Sequence, residues 1–161
     1  MGERVVEVGT VRRVSTGSWV EVEGPRAAAF LLAVAEGRAV VTIDGARHAG
    51  PVGWCPADRL VFPHLSVREN LGYAGVKRTE VERLGALLGL TDVLERRPRA
   101  LTAAQREATA VGRAMLASTV WVLEQVDGDE ALQAVLVAEQ AARGAFVLGR
   151  GLSVPDDRWS V

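Results

Sequence analysis

The chain has 161 residues, of which 48% are hydrophobic and 24% charged, and its formal net charge is −1. This length suits one domain that buries about 70% of the surface exposed by its unfolded chain. The near-neutral charge gives no reason to expect nucleic acid as a partner, and no apolar run reaches the roughly 20 residues that cross a membrane, so no direct membrane insertion is expected. A single cysteine, Cys55, excludes an internal disulfide and favours a cytoplasmic location.

The first third of the chain mixes strand and helix signals. Period-two alternation of apolar and polar residues predicts strands, and short β-branched or apolar runs predict more of them. A helix is predicted over residues 27–36, between Pro25, which suits a helix start, and Gly37, which suits a helix end. The predicted strands cover residues 5–8, 11–14, 18–23, 39–43 and 52–55.

The middle of the chain is predicted to be helical. Ser66, Thr79 and Thr102 are each followed three residues later by Glu or Gln, which is the spacing of a helix-capping box. The helix that Thr102 opens is expected to run through Ala117. Beyond it we predict a strand over 120–123, a helix over 130–143 closed by Gly144, and a last strand over 145–148. Strands alternating with helices indicate an α/β fold, which the helical block over 66–117 interrupts.

Two stretches of sequence carry a family resemblance. Residues 58–71 read DRLVFPHLSVRENL, and residues 97–106 read RPRALTAAQR. They resemble, in the same order and near the same spacing, the LFPHLTVREN segment after the Q-loop and the RPxxLSGGQR signature of ABC-transporter ATPase subunits. The resemblance extends over residues 24–148.

The resemblance implies a fold and a domain organisation. We expect a P-loop NTPase-like ABC ATPase core with an inserted helical subdomain, and with a shortened N-terminal β-region and C-terminal part. The chain would then be one domain over residues 1–161. Its core lobe would cover about 1–62 and 119–161, and its helical subdomain about 63–118.

The phosphate-binding loop of that family is missing from the matching position. Such a loop reads GxxxxGK[ST]; its backbone N–H groups and lysine bind phosphate and its hydroxyl binds Mg²⁺. Here residues 22–32 read VEGPRAAAFLL, two residues shorter than the family pattern, with Ala28 at the lysine position and Ala29 at the hydroxyl position. A residual anion site at Gly24 and Arg26 is an alternative to a plain turn, because a helix N-terminus attracts anions; we prefer the turn.

The other catalytic positions are also substituted. Glu124 stands at the Walker B aspartate position, where we expect a carboxylate facing solvent, and Gln125 stands at the catalytic glutamate position. Glutamine cannot take a proton from water. Ala57 replaces the Q-loop glutamine, and no histidine follows the predicted last strand. In the signature two alanines replace the glycines, while Thr102 and Gln105 persist, both of which a capping box needs in any case.

These substitutions favour a catalytically inactive subunit that acts by interaction or regulation and needs neither ATP nor Mg²⁺. The resemblance implies that a membrane permease subunit, or another ABC ATPase subunit, is the partner, and that the partner-binding surface includes Phe62, Pro63, His64 and Leu65. Such a protein would be cytoplasmic and could lie at the inner face of the membrane. The alternatives are a divergent subunit with weak or partner-dependent ATP binding and hydrolysis, and a protein without any transporter partner. No metal site is expected, because the two histidines are far apart and lack carboxylates at ligand spacing.

Overall fold

The structure, a computed structural model, describes residues 3–8, 10–15, 17–39, 42–43, 46–48, 50–126, 129–150 and 157–160. Side chains are described within 17–39, 48, 50–126 and 129–150. The strands are β1 (Glu3–Val8), β2 (Thr10–Ser15), β3 (Trp19–Glu23), β4 (Thr42–Ile43), β5 (Ala46–Arg47), β6 (Gly53–Cys55), β7 (Val120–Glu124), β8 (Phe146–Arg150) and β9 (Asp157–Ser160). The α-helices are α1 (Ala27–Ala35), α2 (Val67–Leu71), α3 (Arg78–Leu87), α4 (Ala103–Ala117) and α5 (Glu130–Arg143).

The central element is a five-stranded sheet in the order β6-β7-β8-β3-β9, and all its neighbouring strands pair parallel. Two antiparallel hairpins, β1–β2 and β4–β5, accompany it. The strands predicted over 52–55 and 120–123 are confirmed as β6 and β7, which are neighbours in one sheet and have the helical block inserted between them. The prediction that 145–148 is the last strand is wrong, because β9 pairs with β3 at the edge of the sheet.

The sheet is buried on both faces, as parallel sheets generally are. Along β7, Val120 and Val122 pack with α1, and Trp121 and Leu123 belong to the core on the opposite side. All four side chains are fully buried. The strand β6 approaches α4 so closely that a β-carbon added to Gly53 would lie 2.0 Å from the carbonyl oxygen of Ala114. Strand residues alternate between two cores, and a glycine sets the closest approach.

Two of the three predicted capping boxes are confirmed. The Ser66 and Thr102 side chains accept hydrogen bonds from the backbone N–H groups of Glu69 and Gln105, whose side chains accept in return. The box at Thr79 is wrong: α3 begins one residue earlier, at Arg78, with the extended Lys77 as its N-cap, so Thr79 lies inside the first turn. The N–H groups of the first turn of α3 bond to the Lys77 carbonyl instead.

A cluster of four charged residues joins α3 in the helical block to α5 beside the sheet. The Arg83 guanidinium donates to both oxygens of the Glu139 carboxylate, at 2.8 and 2.7 Å. Glu139 also accepts from Arg143 at 2.8 Å, and Glu80 accepts from both Arg83 and Arg143. The Glu139 side chain is only 7% exposed. This α3–α5 charge cluster therefore fixes the two helices through alternating charges.

Candidate functional site

The carboxyl ends of β3, β6, β7 and β8 meet at one edge of the sheet, because these strands are parallel. In open α/β sheets, ligands bind at this edge. The residues that follow these strands are therefore the candidate site: the turn at 24–26, Ala57, Glu124 with Gln125, and Arg150. The structure thus brings to one edge the residues that the sequence aligned with the phosphate-binding, Q-loop and Walker B positions.

The turn between β3 and α1 is short. It contains only Gly24, Pro25 and Arg26, and Gly24 has a φ of 102°, in the region that favours glycine. The Ala27 N–H donates to the Gly24 carbonyl at 3.2 Å, and the helix continues from there. Arg26 is the N-cap residue, makes no side-chain cap, and is exposed.

The first turn of α1 presents methyl groups. Ala28 is half-buried and Ala29 is exposed, and neither carries an ammonium group or a hydroxyl. The predicted turn running directly into a helix is confirmed. Free backbone N–H groups of α1 and the exposed guanidinium of Arg26 are what this turn offers to an anion.

Glu124 and Arg150 end the neighbouring strands β7 and β8 and form an ion pair. Their Cα atoms are partners in the parallel register, and Oε1 of Glu124 lies 3.5 Å from Nη1 of Arg150. The Glu124 side chain is only 14% exposed, so the expectation of a carboxylate facing solvent is wrong. The sequence reasoning missed Arg150, although opposite charges directly after two adjacent buried runs are a usable signal.

Gln125 leaves the strand with a left-handed backbone, at a φ of 54°. Its N–H donates to the Arg150 carbonyl at 3.1 Å, and the residue is exposed. The amide side chain therefore stands at the carboxyl edge beside the ion pair. Glutamine there can form hydrogen bonds but cannot act as a general base.

Ala57 lies in a turn that Arg59 closes. The Arg59 N–H donates to the Pro56 carbonyl at 3.0 Å, and its guanidinium donates to the Ala57 carbonyl. The same guanidinium pairs with Glu107 of α4 at 3.1 Å. The turn that follows β6 is thereby attached to the helical block through an arginine that the sequence reasoning did not single out.

The surviving signature residues are occupied by helix capping. The Thr102 hydroxyl accepts from the Gln105 N–H at 3.1 Å, and the Gln105 side chain accepts from the Thr102 N–H at 3.0 Å. Ala103 and Ala104 are exposed in the first turn of α4. The polar atoms of Thr102 and Gln105 therefore serve the start of α4.

The segment from Phe62 to Ser66 is held by one buried amide. Asn70, which is fully buried, accepts from the Phe62 N–H at 2.8 Å through Oδ1. Its Nδ2 lies 3.2, 3.3 and 2.9 Å from the carbonyl oxygens of Phe62, Leu65 and Ser66. Pro63 and His64 are exposed on the loop, and Leu65 is half-buried. A buried asparagine thus presents the loop to solvent in one conformation.

Exposed and half-buried side chains form a surface beside this loop. We name this surface the Phe62 patch and define it as Leu60, Phe62, Tyr73 and Arg113. The centroids of the Phe62 and Tyr73 rings lie 4.5 Å apart, and Cζ of Arg113 lies 4.6 Å from the centroid of the Phe62 ring. Leu60 and Tyr73 are 56% and 64% exposed. The sequence reasoning missed Arg113, because nothing within α4 marks it as a neighbour of a loop 51 residues earlier (113 minus 62).

Other features of the described residues add no site. They contain no group of three or more His, Cys, Asp and Glu side chains arranged to hold a metal ion. Within the same ranges, none of the helices combines the length and apolar character needed to cross a bilayer.

Comparisons with known proteins fit this geometry. No family model matches the chain. The molybdenum import ATP-binding protein ModC of Paramagnetospirillum magneticum is 36% identical over 121 residues, covering 70% of this chain and 32% of that protein. The sn-glycerol-3-phosphate import ATP-binding protein UgpC of Chromohalobacter salexigens is 45% identical over 64 residues, covering 35% of this chain and 17% of that protein. The matched parts thus span about a third or less of these relatives' length.

A solved structure matches over nearly the whole chain. It is described as an ABC transporter ATP-binding protein from Pyrococcus furiosus, and it superposes with a TM-score of 0.75 at 16% identity, covering 98% of this chain and 96% of that one. The predicted α/β class of the P-loop NTPase-like ABC ATPases is confirmed by this match. The chain is therefore similar in sequence to part of the ATP-binding proteins of ABC transporters, and it has the same fold as one of them.

Proposed function

We propose that this chain is a catalytically inactive counterpart of an ABC-transporter ATP-binding subunit and that it acts as an interaction or regulatory subunit. The observation that carries the proposal is the turn at 24–26, which enters α1 directly on Ala27, Ala28 and Ala29. A phosphate-binding loop needs glycines, a lysine and a hydroxyl at this point. The described residues here supply one exposed arginine instead.

The energetic cost of these substitutions is large. Each charge-assisted hydrogen bond to a phosphate contributes about 1.5–3 kcal/mol. Losing the lysine and the loop N–H groups that surround a phosphate removes several such contacts, and each 1.4 kcal/mol weakens binding tenfold. A micromolar site would fall to millimolar affinity or weaker. We therefore propose that neither ATP nor Mg²⁺ is a resident cofactor.

The Walker B position supports the same function. A metal ion would need the Glu124 carboxylate, which instead pairs with Arg150. Gln125 lies beside this pair and cannot activate water. The carboxylate at the metal-binding position is thus already in an ion pair, and the residue at the water-activating position is an uncharged amide.

We propose that the chain binds a membrane permease subunit, or another ABC ATPase subunit, through the Phe62 patch and the adjoining residues Pro63, His64 and Leu65. Relatives of this chain are named as import ATP-binding proteins. A surface of aromatic and arginine side chains, beside a loop that a buried asparagine holds, suits a docking site. The protein would then lie in the cytoplasm, at the inner face of the membrane when docked.

We also propose that the chain is one domain over residues 1–161. The core lobe would cover about 1–62 and 119–161, and the helical subdomain about 63–118. The α3–α5 charge cluster and the pairing of Arg59 with Glu107 link these two parts.

Thermal unfolding with and without nucleotide tests the proposal. A ligand at a hundred times its dissociation constant stabilises the folded state by about 2.7 kcal/mol, and each kcal/mol moves the melting temperature of a domain of this size by roughly 2–4 °C. We expect a shift below about 1 °C in millimolar Mg-ATP and no phosphate release above a buffer blank.

The second candidate function is a divergent subunit with weak or partner-dependent ATP binding and hydrolysis. Arg26 at the N-terminus of α1 is the observation that favours it. A nucleotide-dependent shift of several degrees that Arg26→Ala abolishes would establish this second function and reject the first.

A further inference from the structure

Arg113 is a half-buried cation, and none of the ion pairs among the described residues includes it. Its Nη2 donates to the Leu60 carbonyl at 2.6 Å, and its Nη1 lies 3.5 Å from Oδ1 of Asn70. A guanidinium carries five N–H donors, so these two contacts leave much of its hydrogen-bonding capacity unused. The face of the Phe62 ring provides the remaining contact, at 4.6 Å.

The electrostatics of Arg113 differ from those of other arginines in the chain. Burial lowers the pKa of Arg113, and the titratable groups that act on it are the Cys55 thiol and the Tyr73 phenol. The Cys55 thiol is neutral at physiological pH, because burial raises its pKa to about 12. By contrast, Arg59 and Arg83 pair directly with glutamates.

A partner that covers the Phe62 patch would remove more water from this charge. Burying a cation without a counter-charge is strongly unfavourable, whereas a well-placed carboxylate with hydrogen bonds offsets that cost. The planar guanidinium, already oriented by the Phe62 ring, matches the two oxygens of a carboxylate. The exposed side chains of Leu60 and Tyr73 on either side offer contacts for an apolar group.

The surroundings favour a protein segment over an anionic membrane as the occupant. A bilayer surface attracts clusters of cations, but Arg113 is a single, partly recessed one. The exposed Asp58 lies next to the patch, where its Oδ1 accepts from the Leu60 N–H at 3.2 Å. A negative charge beside the patch opposes a flat anionic surface more than it opposes one carboxylate aimed at Arg113.

We propose that the partner segment that docks on the Phe62 patch carries an aspartate or glutamate that pairs with Arg113, next to an apolar side chain that contacts Leu60 and Tyr73. The inference rests on the proposed function, because it specifies the chemistry of the docking partner. It assigns Arg113 as the residue that selects for acidic segments.

A displayed library of random peptides is the probe that tests the inference. Peptides are selected on the wild-type chain and counter-selected on Tyr73→Ala, so that only ligands of the patch remain. We expect the retained peptides to share an acidic residue beside an aromatic or aliphatic one. Binding should weaken at least tenfold with Arg113→Gln, and by a similar factor when the peptide acid is changed to its amide. The two changes together should weaken binding little more than either alone, since they remove the same pair.

Controls separate the pairing from structural effects. Arg106→Gln removes an arginine from the same helix and should leave peptide binding unchanged. Arg113→Lys keeps the charge without the planar fork, so it should lose less affinity than Arg113→Gln. Should Arg113→Gln lower the melting temperature strongly, the acid-to-amide change in the peptide tests the pairing on an unaltered protein.

Each contrary outcome has its own meaning. Peptides that depend on Tyr73 but lack an acid, or that bind Arg113→Gln equally well, overturn the inference and leave the docking proposal standing. A selection that yields no Tyr73-dependent peptide counts against both. Binding to phosphatidylglycerol vesicles, but not to phosphatidylcholine vesicles, that is lost in Arg113→Gln would assign the patch to a lipid headgroup and overturn the inference too.

Discussion

Nη1 of Arg150 lies 3.5 Å from Oε1 of Glu124, so the last residues of two neighbouring parallel strands neutralise each other at the edge of the sheet where ligands bind. The Glu124 side chain is 14% exposed, so removing Arg150 would leave a mostly buried carboxylate without this ion pair. The pair has consequences for stability that can be measured.

Replacing Arg150 should destabilise the chain. Arg150→Ala leaves a mostly buried carboxylate without its cation, and we expect a loss of about 1–2 kcal/mol in the free energy of unfolding at pH 7. Urea titration gives the value. In the double variant Glu124→Gln/Arg150→Ala the loss should be smaller than in Arg150→Ala alone, because no charge is then left buried. Strictly additive effects of the two substitutions would show that the residues do not interact.

Acid should release the α3–α5 charge cluster. Hydrogen bonds from Arg83 and then from Arg143 hold the pKa of Glu80 at about 2, against an ordinary value of 4.5. Because the folded-state pKa is depressed, the stabilisation is fully present above about pH 4.5 and is lost as the pH falls toward about 2. Arg83→Gln removes the largest cause, so its stability should depend less steeply on pH in this window. Its curve should converge with the wild-type curve at the acid end.

The control for this prediction is Lys77→Gln, which removes one positive charge at the start of the same helix. Its pH dependence should match that of the wild type. Identical slopes for wild type and Arg83→Gln between pH 2 and 4.5 would show that the cluster does not shift the pKa of Glu80.

Gly53 should tolerate no side chain. A β-carbon there would meet the backbone carbonyl of Ala114 at 2.0 Å, and a helix backbone cannot yield as a flexible side chain does. Overpacking of this kind costs about 1–3 kcal/mol or more, so Gly53→Ala should lower the melting temperature by several degrees. Gly72→Ala is the matched control, since its nearest contact would be an ordinary 3.5 Å. Equal melting temperatures for the two variants would contradict the close approach of β6 and α4.

Cys55 should be inert in the folded chain. The side chain is 1% exposed, and burial raises the pKa of its thiol to about 12. At pH 8 a thiol reagent such as DTNB should therefore label it only when the chain unfolds, and labelling should accelerate with urea as helical circular dichroism is lost. Ala29→Cys supplies an exposed thiol as an internal reference that reacts at once. Fast labelling of Cys55 without denaturant would contradict its burial.

Most of the fold could be predicted from local signals, and the errors have local causes. Ser66 and Thr102 were identified as caps because hydroxyl and acceptor side chains three residues apart satisfy the first free N–H groups. The same spacing failed at Thr79, because a capping box also needs an extended residue at the cap position and the extended residue here is Lys77. No alternation of apolar and polar residues marks the strand β9 in the sequence. Its pairing with β3 joins residues that are far apart along the chain, so local signals do not predict it.

The places of the candidate residues along the chain could be predicted, but their interactions could not. The sequence placed Gly24, Ala57 and Glu124 after strands, and parallel pairing brings such residues to one edge. The ion pairs at this edge join different elements of the chain. Arg150 of β8 pairs with Glu124 of β7, and Glu107 of α4 pairs with Arg59 in the turn after β6. Long-range pairs of this kind depend on strand register and helix packing, which local patterns in one sequence do not reveal.

The capping box at the start of α4 bears on how sequence motifs are interpreted. Thr102 and Gln105 fill two positions of a nucleotide-binding signature, yet each satisfies a backbone N–H of the other. Losing such a cap costs about 1 kcal/mol of stability, so folding alone opposes change at both positions. The residues of a motif can therefore be retained for helix capping, and finding them does not by itself show that a nucleotide binds. Residues of a motif that also cap a helix are therefore weak evidence, by themselves, for a nucleotide site.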